Sequence, residues 1–290
     1  LLRLNTMPAM PADVLEDVRE LQGKSNRELR SLGRLAYPMR RLKGEAGFHR
    51  VSWDEAFQSL AEHFQNTPPQ RSAFFVTARG VTNEVYYMAQ KAARFMGTNH
   101  VDNAARLCHA PSTAAMKRTL GIAATTCSYK DWIGTDLIVF FGSNPANDQP
   151  VSTKYLHEAK AAGTKVAMVN PYCEPGMERY WVPSNAGSAL FGTAITDHWF
   201  PVSQGGDIAF LCGVMKILVA EDWIDRSFLE SHTEGFESLE RQLSELEWGP
   251  LERDAGLDKS SMLAMAELIR DAKNAVLVWS MGITQHGFGT

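Results

Sequence analysis

Cysteine is scarce and scattered in this chain. Its 290 residues hold four, Cys108, Cys127, Cys173 and Cys212, and no two of them form a C-x-x-C pair. That spacing speaks against a zinc ribbon or a locally wound iron–sulfur loop. A chain of this size has no need of disulfides, so a reducing, cytoplasmic compartment is the simplest expectation. Long apolar runs are lacking too. No uninterrupted stretch approaches the roughly 20 residues that cross a bilayer, so no membrane span is expected. Charge of one sign is not in excess: 29 Lys and Arg against 33 Asp and Glu leave a net charge of −4, with an isoelectric point near 6.1. Such a balance offers neither a nucleic-acid surface nor a polybasic anchor. No G-x-G-x-x-G or G-x-x-x-x-G-K-[ST] follows any expected strand, which argues against an ordinary nicotinamide or P-loop site. No repeat at a 20–50-residue period and no low-complexity segment are present.

What is there is a sequence rich enough to build a core, with 44% hydrophobic and 21% charged residues. Its length suggests about two domains or one large one. Residues 1–50, with Pro8, Pro11, Pro38 and the basic run 39–43, read as an irregular surface arm. From Ser52 the pattern sharpens, because Ser52 and Glu55 are spaced for a capping box. Trp53, Phe57, Leu60 and Phe64 then mark one helical face. Short apolar strands are expected at 73–77, 136–141, 165–169 and 275–279. Helices are expected from about 82 to 95, 150 to 162, 207 to 220 and 260 to 272. Gly97 and Gly163 stand where left-handed helix ends are needed. Strands alternating with helices predict an α/β fold, a mostly parallel Rossmann-like three-layer sheet with helices on both faces. The first residue is Leu1, and the last residues, 286–290, read as a turn just after a strand, so the chain is expected to be a fragment of a longer one.

In an open parallel sheet, ligands gather beyond the carboxyl ends of the strands. Those ends are 78–80, Gly142-Ser143-Asn144, Asn170-Pro171 and the segment 281–285, which contains Gly282 and Gln285. Glycine, amide and hydroxyl groups there suit a polar, nucleotide-like ligand, although ordinary turn chemistry accounts for any single loop. The segment 102–115 carries the most chemistry. Cys108 and His109 precede Pro111, which can open a helix, so the thiol is expected near the positive end of a helix dipole, where a thiolate is favoured. Such a sulfur is a soft metal ligand or a nucleophile, and Arg106 adds positive charge beside it. The plain alternative is a buried small cysteine next to a hydrogen-bonded histidine. Cys127, Cys173 and Cys212 read as packing residues. His198 and Trp199 read as a loop aromatic cluster, with an approach to a substrate funnel as the alternative, and His286 as a residue at the surface or behind the site, with a place in the cofactor cleft as the alternative.

The string A-R-L-C-H-A-P-S at 105–112 resembles the molybdopterin-dependent formate dehydrogenases of the DMSO reductase superfamily. The resemblance continues through V-S-W-D-E-A at 51–56, T-A-R-G at 77–80, T-N-E at 82–84 and G-T-N at 97–99. It runs on through F-G-S-N-P-A at 141–146, T-E-G-F-E at 233–237 and M-G-I-T-Q-H at 281–286, in the family's order over nearly all of the chain beyond residue 30. It is closest to the YdeP-like branch, through G-R-L at 33–35 and V-N-P at 169–171. The resemblance implies that Cys108 ligates molybdenum, that His109 is its catalytic neighbour and that Arg106 is a supporting cation. It implies a bis(molybdopterin guanine dinucleotide) cofactor, with Gly142, Ser143, Asn144, Asn170, Asp207, Gly282 and Gln285 as contact residues. Asp207, at a G-G-D helix start, could equally cap the helix. A small-molecule substrate and an unidentified electron acceptor follow as partners. The implied layout is an arm at 1–50, the α/β part of a first lobe at 51–103 and a dinucleotide-binding lobe at 104–290 of a larger multidomain molybdoenzyme. In this superfamily a cysteine-rich segment holds a [4Fe–4S] cluster near the N-terminus, and that segment is not among these residues. Formate dehydrogenases typically carry Asp-Pro-Arg where this chain has Asn170-Pro171-Tyr172, so its nucleotide contacts must differ there. A non-catalytic relative, like the large-subunit domain of respiratory complex I that keeps the fold without the cofactor, is the rival reading. Cys108-His109 is the feature that separates the two.

Overall fold

The computed structural model describes residues 6–77 and 81–289. They divide between Ala104 and Ala105 into two compact units. The strand-end loop expected at 78–80 lies outside the described residues.

In the first unit, Ser52 starts helix α1 (Trp53–Asn66) through the expected reciprocal bonds. Its Oγ accepts the Glu55 N–H at 3.1 Å, and the Glu55 carboxylate accepts the Ser52 N–H at 2.7 Å. Strand β1 (Phe74–Val76), helix α2 (Asn83–Phe95) and strand β2 (Val101–Asn103) follow, and β1 and β2 pair in parallel. Gly97 adopts φ +87° just beyond α2. Residues 6–50 are more ordered than an irregular arm. They carry two 3-10 turns, Ala12–Leu15 and Val18–Leu21, a capped helix Asn26–Ser31, and an antiparallel pair of two-residue strands, Met39–Arg40 and His49–Arg50. Gly47 explains why the segment packs: a Cβ there would lie 2.1 Å from the Glu16 carbonyl, so its lack of a side chain lets two backbones touch.

The second unit opens with helices α3 (Ala105–Cys108) and α4 (Ala110–Thr119). Strand β3 (Leu137–Phe141), helix α5 (Ser152–Ala161), strand β4 (Lys165–Val169) and strand β5 (His198–Phe200) come next. Helices α6 (Asp207–Ala220), α7 (Trp248–Ala255) and α8 (Lys259–Asp271) precede strand β6 (Ala275–Trp279). The one-turn helix α9 (Met281–Thr284) closes the series. The sheet order is β6-β3-β4-β5, and every pair is parallel. All five residues of β3 are buried, as a central strand covered on both faces requires. Alternation sorts its side chains. Leu137, Val139 and Phe141 join Ala167 and Val169 against α6, α7 and α8 on one face. Ile138 and Phe140 join Val166 and Met168 against Trp132, Leu156 and Met177 on the other.

Two expectations need correcting. His198 and Trp199 belong to a strand rather than a loop cluster. The segment after β6, expected as a loop, coils into α9. The chain runs outward from β3 through β4 to β5, then returns to lay β6 on the far side of β3. The strand order therefore reverses between β3 and β6, and the crevice beyond their carboxyl ends is where such a sheet receives a ligand.

Candidate functional site

At that reversal point Gly142 leaves β3 with φ +60°, and open space lies where a Cβ would project. Ser143 is buried, and its Oγ lies 3.0 Å from the Oγ of Ser280. The Ser280 N–H donates to the Phe141 carbonyl at 3.2 Å. The two strand ends are thus tied together, and Ser143 spends its hydroxyl on that tie. Asn144 is half-buried, and its side chain accepts the Asn147 N–H at 3.3 Å to start the short helix Pro145–Asp148.

The Cys108 segment is anchored to the same edge. The Ser112 and Thr284 hydroxyls lie 2.8 Å apart, joining α4 to α9. The Gln285 Nε2 donates to the Leu107 carbonyl, a long bond of 3.4 Å. Cys108 ends α3, and α4 begins two residues later with Pro111 in its first turn, so the thiol stands at the positive end of α4 as the sequence suggested. The thiol is half-buried and unpaired, not sealed in the core. Arg106 and His109, on either side, are exposed. His109 occupies the N-cap position of α4, and its imidazole makes no capping bond. Gly282 is exposed with open space around its α-carbon.

Asn170 and Asp207 sit further along the same edge. The Asn170 N–H donates to the Phe200 carbonyl at 3.2 Å, continuing the sheet one step past β4. Asp207 does not cap α6, since Gly206 takes the N-cap position and no side-chain cap is made. Its Oδ2 instead lies 3.4 Å from the Nε2 of His286, with both side chains mostly covered. Sequence reasoning leaves His286 between the surface, a supporting position behind the site and the cofactor cleft. It also missed Ser112, Thr284 and Ser280, because small hydroxyls more than 130 residues from their partners have no local pattern.

Among the described residues, no group of three or more His, Cys, Asp and Glu is placed to hold a metal ion. A soft metal at Cys108 would therefore have one protein sulfur and take its remaining ligands from a non-protein group. The other thiols differ in setting. Cys127 is exposed rather than a packing residue, whereas Cys212 packs against the sheet core, where burial raises its pKa above the ordinary 9.0. A cleft of about 440 Å3 lined by Lys130, Gly134 and Asn274 lies at the amino-terminal edge of the sheet. None of the expected site residues lines it. No described helix is long and apolar enough to cross a membrane.

A family model described as molybdopterin oxidoreductase matches residues 34–290. Protein YdeP of Escherichia coli (strain K12) is 28% identical over 285 residues, covering 94% of this chain and 38% of that protein. An uncharacterized oxidoreductase of Mycobacterium bovis is 31% identical over 276 residues, 93% of this chain and 35% of its own length. Formate dehydrogenase H of Escherichia coli (strain K12) is 30% identical over 257 residues, 87% of this chain and 34% of that enzyme. The chain thus spans a little over a third of the length of these relatives. Among solved structures, acetylene hydratase from Pelobacter acetylenicus superposes with a TM-score of 0.60 at 20% identity, over 86% of this chain and 32% of that one, a likeness of fold.

Proposed function

Because this chain belongs to the molybdopterin oxidoreductase family, we propose that it is the cofactor-holding part of a formate dehydrogenase-like oxidoreductase, with Cys108 as the protein ligand to molybdenum. One observation carries the reading. A half-buried, unpaired thiol stands at the start of α4, and α4 is bonded to the segment after β6, at the edge where the strand order reverses. The donor set fits a metal that brings its other sulfurs with it, because this chain offers one thiolate and no cluster of hard ligands among its described residues. Gly142 and Gly282 present backbone without side chains on the same edge, which lets a bulky polar cofactor approach closely.

When bound, the bis(molybdopterin guanine dinucleotide) group supplies a two-electron redox centre. This chain's residues do the rest. Cys108 holds the metal through its thiolate, the form that ligates. The exposed imidazole of His109 accepts a proton from substrate at a ring nitrogen and passes it to solvent. Arg106 orients a small anionic substrate such as formate through its guanidinium. Ser143, Asn144 and Gln285 hold the strand-end loops in place through their bonds to Ser280, Asn147 and Leu107. The electron acceptor, a [4Fe–4S] cluster and a cytoplasmic setting belong to the same proposal for the whole protein.

Metal analysis tests it. Protein from a molybdenum-replete host should carry stoichiometric molybdenum. Cys108→Ser should leave the metal with one fewer Mo–S contact by X-ray absorption while Cys127→Ser leaves its coordination unchanged, both variants retaining the wild-type circular dichroism. An unchanged Mo–S coordination in Cys108→Ser removes the ligand assignment.

A further inference from the structure

Helix α9 is four residues long, too short to hold its own shape, because a single turn fixes several backbone angles for one hydrogen bond. It is held from outside instead. At its start the Ser280 N–H donates to the Phe141 carbonyl at 3.2 Å, and the Ser280 hydroxyl meets that of Ser143 at 3.0 Å. Beyond its end the chain folds back so closely that a Cβ on Gly289 would lie 2.4 Å from the Ile283 carbonyl. The turn is therefore wedged in place at the end of β6.

Two consecutive residues of that wedge grip the Cys108 segment on either side of the thiol. Thr284 is buried, and its Oγ1 donates to the Met281 carbonyl at 3.3 Å. With its one proton spent there, it accepts the Ser112 hydroxyl at 2.8 Å. Gln285 donates to the Leu107 carbonyl at 3.4 Å. Leu107 precedes Cys108, and Ser112 follows it by four residues. Between the two holds, the His109 N–H donates to the Ala105 carbonyl at 2.8 Å and the Thr113 N–H to the His109 carbonyl at 2.9 Å. The backbone that carries the sulfur is thus bonded on both flanks. Of the two holds, the contact between Thr284 and Ser112 is the shorter and the better covered.

We propose that Thr284 is the positioning residue for the Cys108 thiol: through Ser112 and α4 it fixes where the sulfur stands at the ends of β3 and β6. The proposal rests on the reading of Cys108 as the metal ligand given above, and adds the residue that holds the ligand there. Thr284 ligates nothing itself. A ligand has to be held to within about half an ångström to serve its metal well. Removing a supporting group of this kind commonly costs about 10–100-fold in metal affinity or activity.

Alkylation of the cofactor-free full chain, followed peptide by peptide by mass spectrometry, tests the grip without any metal. Thr284→Val keeps the branched shape and removes the hydroxyl, so Cys108 should react with iodoacetamide several-fold faster than in wild type. Cys212, packed against the sheet core, should keep its wild-type rate. Thr284→Ser retains the hydroxyl and should leave Cys108 as slow as in wild type. Ser112→Ala should match Thr284→Val, and the double variant should be no faster than either, because each removes the same bond. In the molybdenum-loaded protein, Thr284→Val should displace the midpoint potential of the metal and Thr284→Ser should not. An unchanged Cys108 rate in Thr284→Val would overturn the proposal. Equal acceleration at Cys108 and Cys212 would overturn it too, since the hydroxyl would then support the fold at large and not the thiol. Failure of the cofactor reading looks different: Mo–S coordination unchanged in Cys108→Ser would remove the metal ligand, while a Cys108 rate that depends on the Thr284 hydroxyl would still uphold the grip.

Discussion

At the residue scale, the candidate site is held by small hydroxyls more than by charges. Ser112 and Thr284 are the clearest case. Thr284 is buried, and its Oγ1 has Ser112 at 2.8 Å and the Met281 carbonyl at 3.3 Å as partners. Ser112→Ala removes the shorter contact and should cost about 1 kcal/mol, the usual worth of one such bond, seen as a lower urea midpoint. The same variant should loosen the attachment of α9 to α4, read as faster amide exchange in the segment 281–286. A midpoint and exchange pattern identical to wild type would show that the hydroxyl pair ties nothing. Much of this scale was legible beforehand. Cys108, His109 and Pro111 announced a thiol before a helix, because helix-start chemistry is local. The hydroxyl pair was not legible, because its partners meet through the sheet and not through the chain.

At the element scale, the strands and helices read best wherever one period ran uninterrupted. The fully apolar run of β3 is what a strand buried on both faces needs, and the bounds of β4, β6 and α6 followed from their patterns. What went unread has identifiable causes. His198–Phe200 is three residues long, with two of them exposed, so it has no run of apolar residues to detect. Helices Arg226–His232, Phe236–Glu245 and Trp248–Ala255 are divided by Gly235, which sits left-handed at φ +84°, and interrupted by Pro250 in the first turn of the third. Packing between α6 and α8 makes a sharp prediction. Gly213 lies inside α6, where alanine would gain about 1 kcal/mol of helix propensity. Yet a Cβ there would come within 2.1 Å of the Met262 sulfur, and Met262 is fully buried. Overpacking a filled core costs about 1–3 kcal/mol, so Gly213→Ala should be destabilising by about 1 kcal/mol net. Combined with Met262→Ala it should cost less than the sum of the single changes, because the new methyl enters the space just vacated. A higher denaturation midpoint for Gly213→Ala alone would show that Met262 moves aside freely.

At the scale of the whole molecule, stability should fall away on both sides of neutrality for separate reasons. Glu28 accepts chiefly a serine hydroxyl, and Glu55, Asp131, Asp225 and Asp258 chiefly N–H groups with serine hydroxyls beside them, at helix starts, and those bonds hold each carboxyl below its ordinary value. A depressed acid stabilises the fold above its unfolded pKa, and that contribution is lost as pH falls through the folded one. All five are exposed, so salt should blunt this acid limb. The alkaline limb has the opposite sign and a half-buried source. Burial raises the Cys212 thiol above its ordinary 9.0, because a thiolate on the inner side of α6 would give up its hydration. Below 9.0 the thiol is neutral in both folded and unfolded chains and contributes no pH dependence. As pH climbs past that value the unfolded chain releases its proton first, so the thiol draws the equilibrium towards unfolding until the folded pKa is reached. Cys212→Ala removes this pull. Comparing unfolding of the second unit in wild type and Cys212→Ala across the alkaline range should therefore show the wild type losing stability faster once 9.0 is passed, by a difference that salt barely changes. Parallel curves would mean that the thiolate finds water or a cation inside the fold, and that the face of α6 around Cys212 opens before the sheet does.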